Sequence, residues 1–194
     1  MRIGYGWDSH EFRDGIPLML GGVRVPHPQG LAGHSDGDVL LHALTDALLG
    51  AVAAGDIGAF FPPSDPQWKG ADSVLFLREA LKQVGRAGYQ VANVDSTLIL
   101  AAPKIGPHAK AIQARVAELL GIAPDAVGIK AKTPEGMGTD NAAIAHAVVL
   151  LTRKERRNQQ RMAVAEAVPQ PVVDEVVEQV LETIIPGKPV RKKK

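Results

Sequence analysis

The chain of 194 residues has no cysteine, and aromatic residues make up only 4% of it. Without cysteine there are no disulfides, thiolate metal sites or thiol nucleophiles, so any metal ion must be held by histidine and carboxylate side chains. Long apolar runs are also missing, since none reaches the roughly 20 residues that cross a bilayer. Residues 1–5 have no character of a signal or transit peptide. We therefore expect a soluble, cytoplasmic protein.

The chain also has no strong excess of positive or of negative charge, because its net charge is only +1. The charges are unevenly distributed: residues 1–151 carry 12 basic and 15 acidic side chains, whereas residues 152–194 carry 10 and 6. The mildly acidic first part offers no basic surface for nucleic acid. The four basic residues at 191–194 are too few to indicate such a site.

Apolar periodicity predicts strands that alternate with helices over the first 152 residues. Strands are predicted at 1–7, 94–101, 127–131 and 142–152, and helices begin near Ser35, Asp72 and Pro107. Gly21-Gly22 between two short apolar runs predicts a β-hairpin, and residues 26–30 read as a loop. This order indicates an α/β (α+β) fold, in which helices cover one face of a mixed four-stranded sheet and a small hairpin is added.

The last part of the chain has a different character. Residues 1–152 are predicted to form one domain, and residues 153–194 a basic linker, an amphipathic helix and a basic tail. The helix is predicted at 171–185, where apolar residues recur every three or four positions. Pro171 marks its start, and Pro186 followed by Gly187 marks its end. Docking on its own domain or on a neighbouring subunit is favoured over a membrane role, because the polar face of the helix is acidic.

Two polar segments carry residues that suit a metal site. Asp8 and His10 are two apart in a predicted strand, so their side chains point the same way and can reach one point. His42 lies in the first predicted helix, with Asp38 four residues before it and Asp46 four residues after it. A carboxylate at that spacing can hold one imidazole nitrogen and leave the other for a metal. Asp8, His10 and His42 would then supply three ligands of a tetrahedral Zn²⁺ with an open fourth position, which is the catalytic pattern.

The start of the first helix predicts a site for an anion. Ser35 is expected to cap the helix, and Asp38 three residues later completes a pattern similar to a capping box. Free backbone N–H groups and the positive end of the helix dipole would attract a phosphate, and His34 can add a proton donor. His42 should lie about two turns, roughly 10 Å, further along the axis. The helix start and the metal would therefore bind different groups of one extended substrate.

Polar residues also end two predicted strands and occupy one loop. Lys104, Thr133 and Glu135 follow strands, and Asp56 and Asp65 lie in a loop rich in glycine and proline. A lysine, a hydroxyl and a carboxylate at strand ends suit contacts to phosphate and to a divalent metal. By spacing alone, these residues suit ordinary turns equally well.

Several separated segments carry a more specific signal. The longest is HSDGDVLLHALTDALLG at 34–50, and the others in chain order are RIGYGWDSH at 2–10, GGVRVP at 21–26, GDIG at 55–58, KGADS at 69–73, NVD at 93–95 and APK at 102–104. Together they resemble the 2-C-methyl-D-erythritol 2,4-cyclodiphosphate synthase family of the non-mevalonate isoprenoid pathway. The resemblance covers roughly residues 1–138.

The resemblance implies a homotrimer whose active sites lie between adjacent subunits, with Zn²⁺ on Asp8, His10 and His42. It implies that the 2-phosphate of a cytidine-diphosphate-linked substrate attacks the β-phosphorus, so that the ring closes and CMP leaves. His34 and Thr133 would be catalytic, and Glu135 would help to hold Mg²⁺ or Mn²⁺. The residues implied to bind the substrate are Asp8, Ser9, His10, His34, Ser35, Asp56, Ile57, Gly58, Phe61, Pro62, Pro63, Ser64, Asp65, Ala101, Ala102, Pro103, Lys104, Ile105, Gly106, Lys132, Thr133, Pro134 and Glu135.

One segment departs from the family pattern. The loop at 136–143 is shorter than in family members and lacks their arginine, which removes one expected contact to phosphates or to a ligand on the trimer axis. Lys132 is a candidate substitute. A zinc-dependent phosphoester hydrolase using the same ligands, and a non-catalytic trimeric binding protein, are the alternative functions.

Overall fold

In the computed structural model, the described residues are 1–154, and they form seven strands and four helices. The strands are β1 (Arg2–Asp14), β2 (Leu18–Leu20), β3 (Val23–Val25), β4 (Gln29–Leu31), β5 (Tyr89–Ile99), β6 (Val127–Lys132) and β7 (Ala142–Arg153). The helices are α1 (Val39–Ala51), α2 (Ile57–Phe60), α3 (Val74–Arg86) and α4 (Ala109–Leu120). The predicted linker, the helix at 171–185 and the basic tail lie outside the described residues, apart from the first two linker residues, so the domain division stays a prediction.

Five strands form a mixed sheet in the order β4-β1-β7-β5-β6, and β2 and β3 form the predicted hairpin. Strand β7 runs antiparallel to both β1 and β5, and β6 runs parallel to β5. Strands β1, β5 and β6 therefore point the same way, and their carboxyl ends lie at one edge of the sheet. The predicted fold class is confirmed.

The sheet contains a fifth strand that the sequence reading placed in a loop. Strand β4 pairs with the end of β1, where Leu31 lies opposite Phe12. Leu31 is fully buried, and Gly30 packs so closely against the backbone carbonyl groups of Ile16 and Pro17 that a Cβ atom would clash with them. Burial of one leucine thus draws the segment after Pro28 into the sheet. Periodicity over three residues is too short to predict this.

Helix α1 lies directly on strand β1 because two glycines leave room for it. A Cβ atom on Gly4 would lie 1.8 Å from the carbonyl oxygen of Ala47, and one on Gly6 would lie 2.0 Å from that of Ala43. Since alternate residues of a strand share a face, Asp8 and His10 point to the same side as these glycines. This contact brings His42, the neighbour of Ala43, against the end of β1.

The start of α1 differs from the prediction. The helix begins at Val39, and its cap is Asp38 rather than Ser35. Asp38 is completely buried and accepts hydrogen bonds from the N–H groups of Gly21 (2.8 Å), Gly22 (2.6 Å) and Leu41 (3.0 Å). Burial raises the pKa of Asp38, although these hydrogen bonds act in the opposite direction. His42 consequently lies in the first turn of α1, not two turns into the helix.

The opposite face of the sheet carries a group of exposed apolar side chains. Ile3, Tyr5 and Trp7 alternate with the glycines that face α1, and they are 72%, 59% and 49% exposed. Val148, which lies opposite Tyr5 in the pairing of β1 with β7, is 43% exposed. We call these four residues the apolar sheet face. Among the helices of residues 1–154, none has the length and hydropathy needed to cross a membrane.

Candidate metal and phosphate site

Three side chains meet at the point where α1 crosses the end of β1. The Oδ2 atom of Asp8 lies 3.0 Å from Nε2 of His10 and 2.9 Å from Nδ1 of His42, and the two nitrogens are 3.0 Å apart. A tetrahedral zinc ion with ligands at about 2.0–2.1 Å has ligand atoms roughly 3.3 Å apart. The three atoms therefore form one face of such a tetrahedron after a shift of a few tenths of an ångström. The donor set suits zinc, and these residues could hold it.

The electrostatics of Asp8 also suit a cation. Burial alone would raise the pKa of this carboxyl, but hydrogen bonds from His10 and His42 and the charges of the two imidazoles lower it well below its usual range. Asp8 is thus present as a carboxylate at neutral pH. Once a metal replaces the hydrogens on the two imidazole nitrogens, the carboxylate and these nitrogens, within 3.0 Å of it, would direct three lone pairs at one small volume.

The second nitrogen of His42 is held by hydroxyl groups rather than by the predicted carboxylates. Nε2 lies 2.8 Å from Oγ of Ser73 and 3.0 Å from Oγ of Ser35. The prediction that Asp38 and Asp46 orient this ring is wrong, because Asp38 caps α1 and Oδ1 of Asp46 accepts the N–H of Ile57 (2.7 Å). Asp46 instead attaches the start of α2 to α1, beside the site.

A cavity of about 220 Å³ opens beside the three candidate metal ligands, Asp8, His10 and His42, which we call the metal cluster. Its lining contains both polar predicted residues and apolar side chains: Asp8, His10, His34, Ser35, His42, Ile57, Gly58, Phe61, Pro63, Trp68 and Phe76. Phe61 packs against the rings of Trp68 and Phe76 with centroid distances of 4.9 and 4.4 Å. The indole Nε1 of Trp68 is buried without a hydrogen-bond partner. A ligand here would have polar groups at one end and an apolar wall beside it.

The backbone before α1 is less free to bind an anion than the sequence suggests. The N–H of Asp36 donates to the carbonyl oxygen of Ala71, and those of Gly37 and Asp38 donate to the side chains of Ser35 and Asp36. The N–H of Leu41 is taken by the cap. These four donors are already used, so a phosphate at this point would be bound mainly by the side chains of His34 and Ser35.

The remaining predicted residues form a second cavity of about 340 Å³ at the carboxyl ends of β5 and β6. It is lined by Leu100, Ala101, Pro103, Lys104, Ile105, Ala131, Lys132, Thr133 and Glu135, whereas Ala102, Gly106 and Pro134 lie in the same loops without lining it. The Thr133 hydroxyl donates to the carboxylate of Glu135. Glu135 has a φ of +51°, which is unfavourable for a residue with a Cβ atom. The turn thereby holds the Glu135 carboxylate against Thr133.

Several predicted substrate contacts are not directed into either cavity. Ser9 alternates with Asp8 and His10, so its side chain belongs to the opposite face of β1. Asp56 and Asp65 accept the backbone N–H groups of Ala59 and Gln67, which makes both of them caps of short helical turns. Pro62 and Ser64 are exposed and do not line the first cavity.

Sequence reasoning gave no site role to Ser73, Asp36, Trp68 or Phe76. The fold brings Ser73 into the site because two backbone hydrogen bonds, from Gly70 to His34 and from Asp36 to Ala71, join its loop to the segment before α1. A single serine at the start of an amphipathic helix is a common cap, so its position alone gave no signal. Trp68 and Phe76 read as ordinary apolar residues.

Comparisons with known proteins identify relatives of this chain. A family model described as the YgbB family matches residues 1–152. The 2-C-methyl-D-erythritol 2,4-cyclodiphosphate synthase of Koribacter versatilis (strain Ellin345) is 70% identical over 154 residues, which cover 79% of this chain and 99% of that protein. The protein of the same name from Synechococcus sp. (strain JA-2-3B'a(2-13)) is 52% identical over 157 residues, with 79% and 100% covered. A solved structure of 2C-methyl-D-erythritol-2,4-cyclodiphosphate synthase, described as the bound form with CDP, aligns with a TM-score of 0.74 and 46% identity over 78% of this chain and 100% of that one.

Proposed function

The chain belongs to the YgbB family, and from this premise we propose that it is a 2-C-methyl-D-erythritol 2,4-cyclodiphosphate synthase, a phosphorus–oxygen lyase. It converts 4-diphosphocytidyl-2-C-methyl-D-erythritol 2-phosphate to the cyclic 2,4-diphosphate and releases CMP, a step in isoprenoid precursor synthesis. The observation that carries this function is the cluster of Asp8, His10 and His42 in a cavity that also exposes His34 and Ser35.

We propose Zn²⁺ as the metal of this cluster. Two imidazole nitrogens and one carboxylate oxygen suit zinc, and with three protein ligands a fourth position stays open, as in catalytic sites. When bound, zinc would neutralise phosphate charge and orient a phosphate oxygen. The protein contributes the fixed geometry, since β1 supplies two ligands and α1 the third.

The 2-phosphate end of the substrate is proposed to lie beside His34 and Ser35. Both side chains line the cavity of the metal cluster, and both are hydrogen-bond donors that suit phosphate oxygens. The apolar wall of Ile57, Phe61 and Trp68 would exclude water from the same cavity. A site that excludes water favours attack by the substrate's own phosphate over attack by water.

The cytidine-phosphate end is proposed to bind in the second cavity. Lys104 and Lys132 bring positive charge to its lining, and the Thr133 hydroxyl can turn from Glu135 to a phosphate oxygen. Glu135 would hold Mg²⁺ or Mn²⁺, which prefer carboxylate and phosphate oxygens. Lys132 would also supply the charge that the short 136–143 loop lacks, and a Lys132→Ala variant with unchanged substrate affinity would exclude this role.

A homotrimer with shared active sites would bring the two cavities together. The residues assigned to one substrate line two separate cavities in the described chain, at the ends of β1 and of β5 and β6. The apolar sheet face gives a reason for self-association, because exposed apolar patches mark interaction surfaces. We propose that this face lies against neighbouring subunits and that each site combines the metal cluster of one subunit with the nucleotide cavity of the next.

The reaction then depends on alignment of the 2-phosphate with the β-phosphorus more than on a nucleophilic side chain. An oxygen of the 2-phosphate forms a bond to the β-phosphorus, and the bond from that phosphorus to the bridging oxygen breaks, so that CMP leaves with this oxygen. His34 would hold the attacking phosphate, and Thr133 would donate to a non-bridging oxygen of the diphosphate. Positioning of this kind accounts for a large share of the barrier reduction in phosphoryl transfer.

The test is to incubate the full chain with the proposed substrate, Zn²⁺ and Mg²⁺ and to follow the products by phosphorus NMR. We expect CMP and a cyclic diphosphate from the wild type, and turnover reduced at least about 100-fold in Asp8→Asn, which loses a metal ligand. The matched control is Asp125→Asn, which changes an exposed side chain in the turn before β6. Its turnover should equal that of the wild type.

Each other product pattern would decide against this function. CMP with an open-chain 2,4-bisphosphate, in which the two phosphates are not joined, would identify the alternative zinc hydrolase. No turnover by a sample that contains zinc would favour the non-catalytic binding protein. The relatives reported above are named as synthases, which favours the cyclase over both. A cytoplasmic location is part of the proposal, and cell fractionation tests it.

A further inference from the structure

Three polar side chains, His42, Ser73 and Asp36, contact one another in a row that begins at the metal cluster. Ser73 is fully buried, its Oγ lies 2.8 Å from Nε2 of His42, and its hydroxyl also contacts the carboxylate of Asp36. Although Ser73 occupies the cap position of α3, its side chain makes no capping hydrogen bond; Asp72 accepts the N–H of Val74 instead. The Ser73 hydroxyl is thus not needed to start the helix.

The direction of the hydrogen bonds follows from counting hydrogens. A carboxylate only accepts, so the single hydrogen of the Ser73 hydroxyl is donated to Asp36. A metal ion held by this cluster would bind Nδ1 of His42, the ring nitrogen that faces Asp8 and His10. The neutral ring then carries its hydrogen on Nε2, which lies 2.8 Å from the Ser73 oxygen. Because the Ser73 hydrogen is donated to Asp36, the Ser73 oxygen is free to accept this N–H.

We propose that Ser73, held by Asp36, is a positioning residue that accepts the Nε2–H of His42 and thereby directs Nδ1 at the metal. The proposal rests on the metal site of the proposed function. Ligating histidines commonly donate their other N–H to an oxygen, and loss of that partner costs about 10–100-fold in metal affinity. Here the partner is a serine whose orientation is set by a second acidic side chain.

The same bonding leaves Ser35 free for the substrate. Ser35 Oγ lies 3.0 Å from Nε2 of His42 and 3.2 Å from Oγ of Ser73, and it also accepts the N–H of Gly37 at 3.3 Å. Because His42 does not need a donor at Nε2, the Ser35 hydroxyl, which can donate to Ser73, can turn to a phosphate oxygen instead. Ser73 therefore orients the His42 ring, and Ser35 is left to contact a ligand in the cavity.

The experiment compares the full-length wild type with Ser73→Ala and with Asp72→Ala. Asp72→Ala is the matched control, since it removes a hydrogen bond at the same helix start without touching His42 in the structure. Zinc affinity is measured by competition with a chromophoric chelator. The hydrogen bond to Ser73 is read from the exchange rate of the His42 Nε2–H in the zinc-loaded protein, with the signal assigned by its loss in His42→Gln.

We expect the zinc-loaded wild type to show a slowly exchanging Nε2–H signal of His42. Ser73→Ala should bind zinc about 10–100-fold more weakly, and its Nε2–H should exchange faster. Asp72→Ala should lower the unfolding midpoint while keeping the zinc affinity and the Nε2–H signal of the wild type. Ser73→Thr, which retains the hydroxyl, should recover most of the affinity if it folds as the wild type does.

Two results would overturn the inference, and both can be separated from failure of the proposed function. One is wild-type zinc affinity in a folded Ser73→Ala variant. The other is a His42 Nε2–H signal in zinc-loaded Ser73→Ala that exchanges as slowly as in the wild type. A wild-type protein that binds no zinc at all would instead remove the metal site on which the inference rests.

Discussion

At the residue scale, Asp38 shows how one buried side chain can join two elements. Its carboxyl group accepts two N–H groups from the Gly21-Gly22 turn and one from the first turn of α1, so it connects the hairpin to the helix that carries His42. Its sequence position suggested a contact with His42. Backbone donors compete for the same oxygens, and they are the partners that the structure shows.

We predict that Asp38→Asn lowers the free energy of unfolding by about 1–3 kcal/mol. An asparagine can accept through one oxygen only, and its amide group would face the N–H of Gly21 or Gly22, leaving a buried donor without a partner. Urea denaturation of the zinc-free protein measures the loss. Asp125→Asn, on an exposed side chain, is the control and should change stability by less than about 0.5 kcal/mol. An Asp38→Asn variant as stable as this control would contradict the assignment.

The three candidate metal ligands could be grouped from the sequence at this scale, whereas the contact of Ser73 with His42 could not. Asp8 and His10 share a face through strand alternation, and His42 belongs to the most specific segment of the sequence. Ser73, in contrast, reaches His42 from a loop 31 residues away in sequence. Such a contact depends on how two loops are joined by backbone hydrogen bonds, which no local pattern encodes.

At the element scale, the contact between α1 and β1 decides where the metal cluster forms. Gly4 and Gly6 allow the helix backbone to approach the strand backbone, and Asp8 and His10 continue the same face. The sequence reading predicted both elements from their apolar patterns. It did not predict this close approach, because glycine within a strand has several possible causes.

We predict opposite effects for two glycine-to-alanine changes in this pair of elements. Gly6→Ala would place a Cβ atom 2.0 Å from the carbonyl oxygen of Ala43, so α1 must shift, and stability should fall by at least about 2 kcal/mol together with zinc affinity. Gly50→Ala lies on the exposed side of α1 with only an ordinary contact at 4.0 Å. It should leave zinc binding unchanged and raise stability by up to about 1 kcal/mol, since alanine favours the helix.

Thermal unfolding and chelator competition on both variants measure these changes. Equal stability of Gly6→Ala and the wild type would mean that the helix is not seated on the strand as described. Because both variants replace a glycine by alanine in the same pair of elements, their difference separates the effect of close packing from the effect of removing a flexible glycine.

At the scale of the whole molecule, the apolar sheet face and the two separate cavities are both consistent with the proposed homotrimer. One face of the sheet is covered by α1, whereas Ile3, Tyr5, Trp7 and Val148 are exposed on the other in the single chain. The sequence reading recognised β1 as a strand but could not tell which of its faces would stay uncovered. That depends on where the helices pack, and so on contacts between distant parts of the chain.

The shared site makes a prediction about mixtures of inactive variants. Asp8→Asn damages the metal half of a site, and Thr133→Ala damages the nucleotide half. If each site combines halves from two neighbouring subunits, every mixed trimer, whichever variant is in excess, has both halves intact in one of its three sites. We therefore expect activity near a third of the wild-type value, measured as CMP release on purified mixed trimers that carry two different affinity tags.

The control is co-expression of Asp8→Asn with His42→Gln, which both damage the metal half. Every mixed site then has a defective metal cluster, so no activity should return. If the first pair also stays inactive although mixed trimers have formed, both halves of each site come from one chain. The same result would remove the functional reason for the trimer, because each subunit would then hold a complete site and the apolar sheet face would serve stability alone.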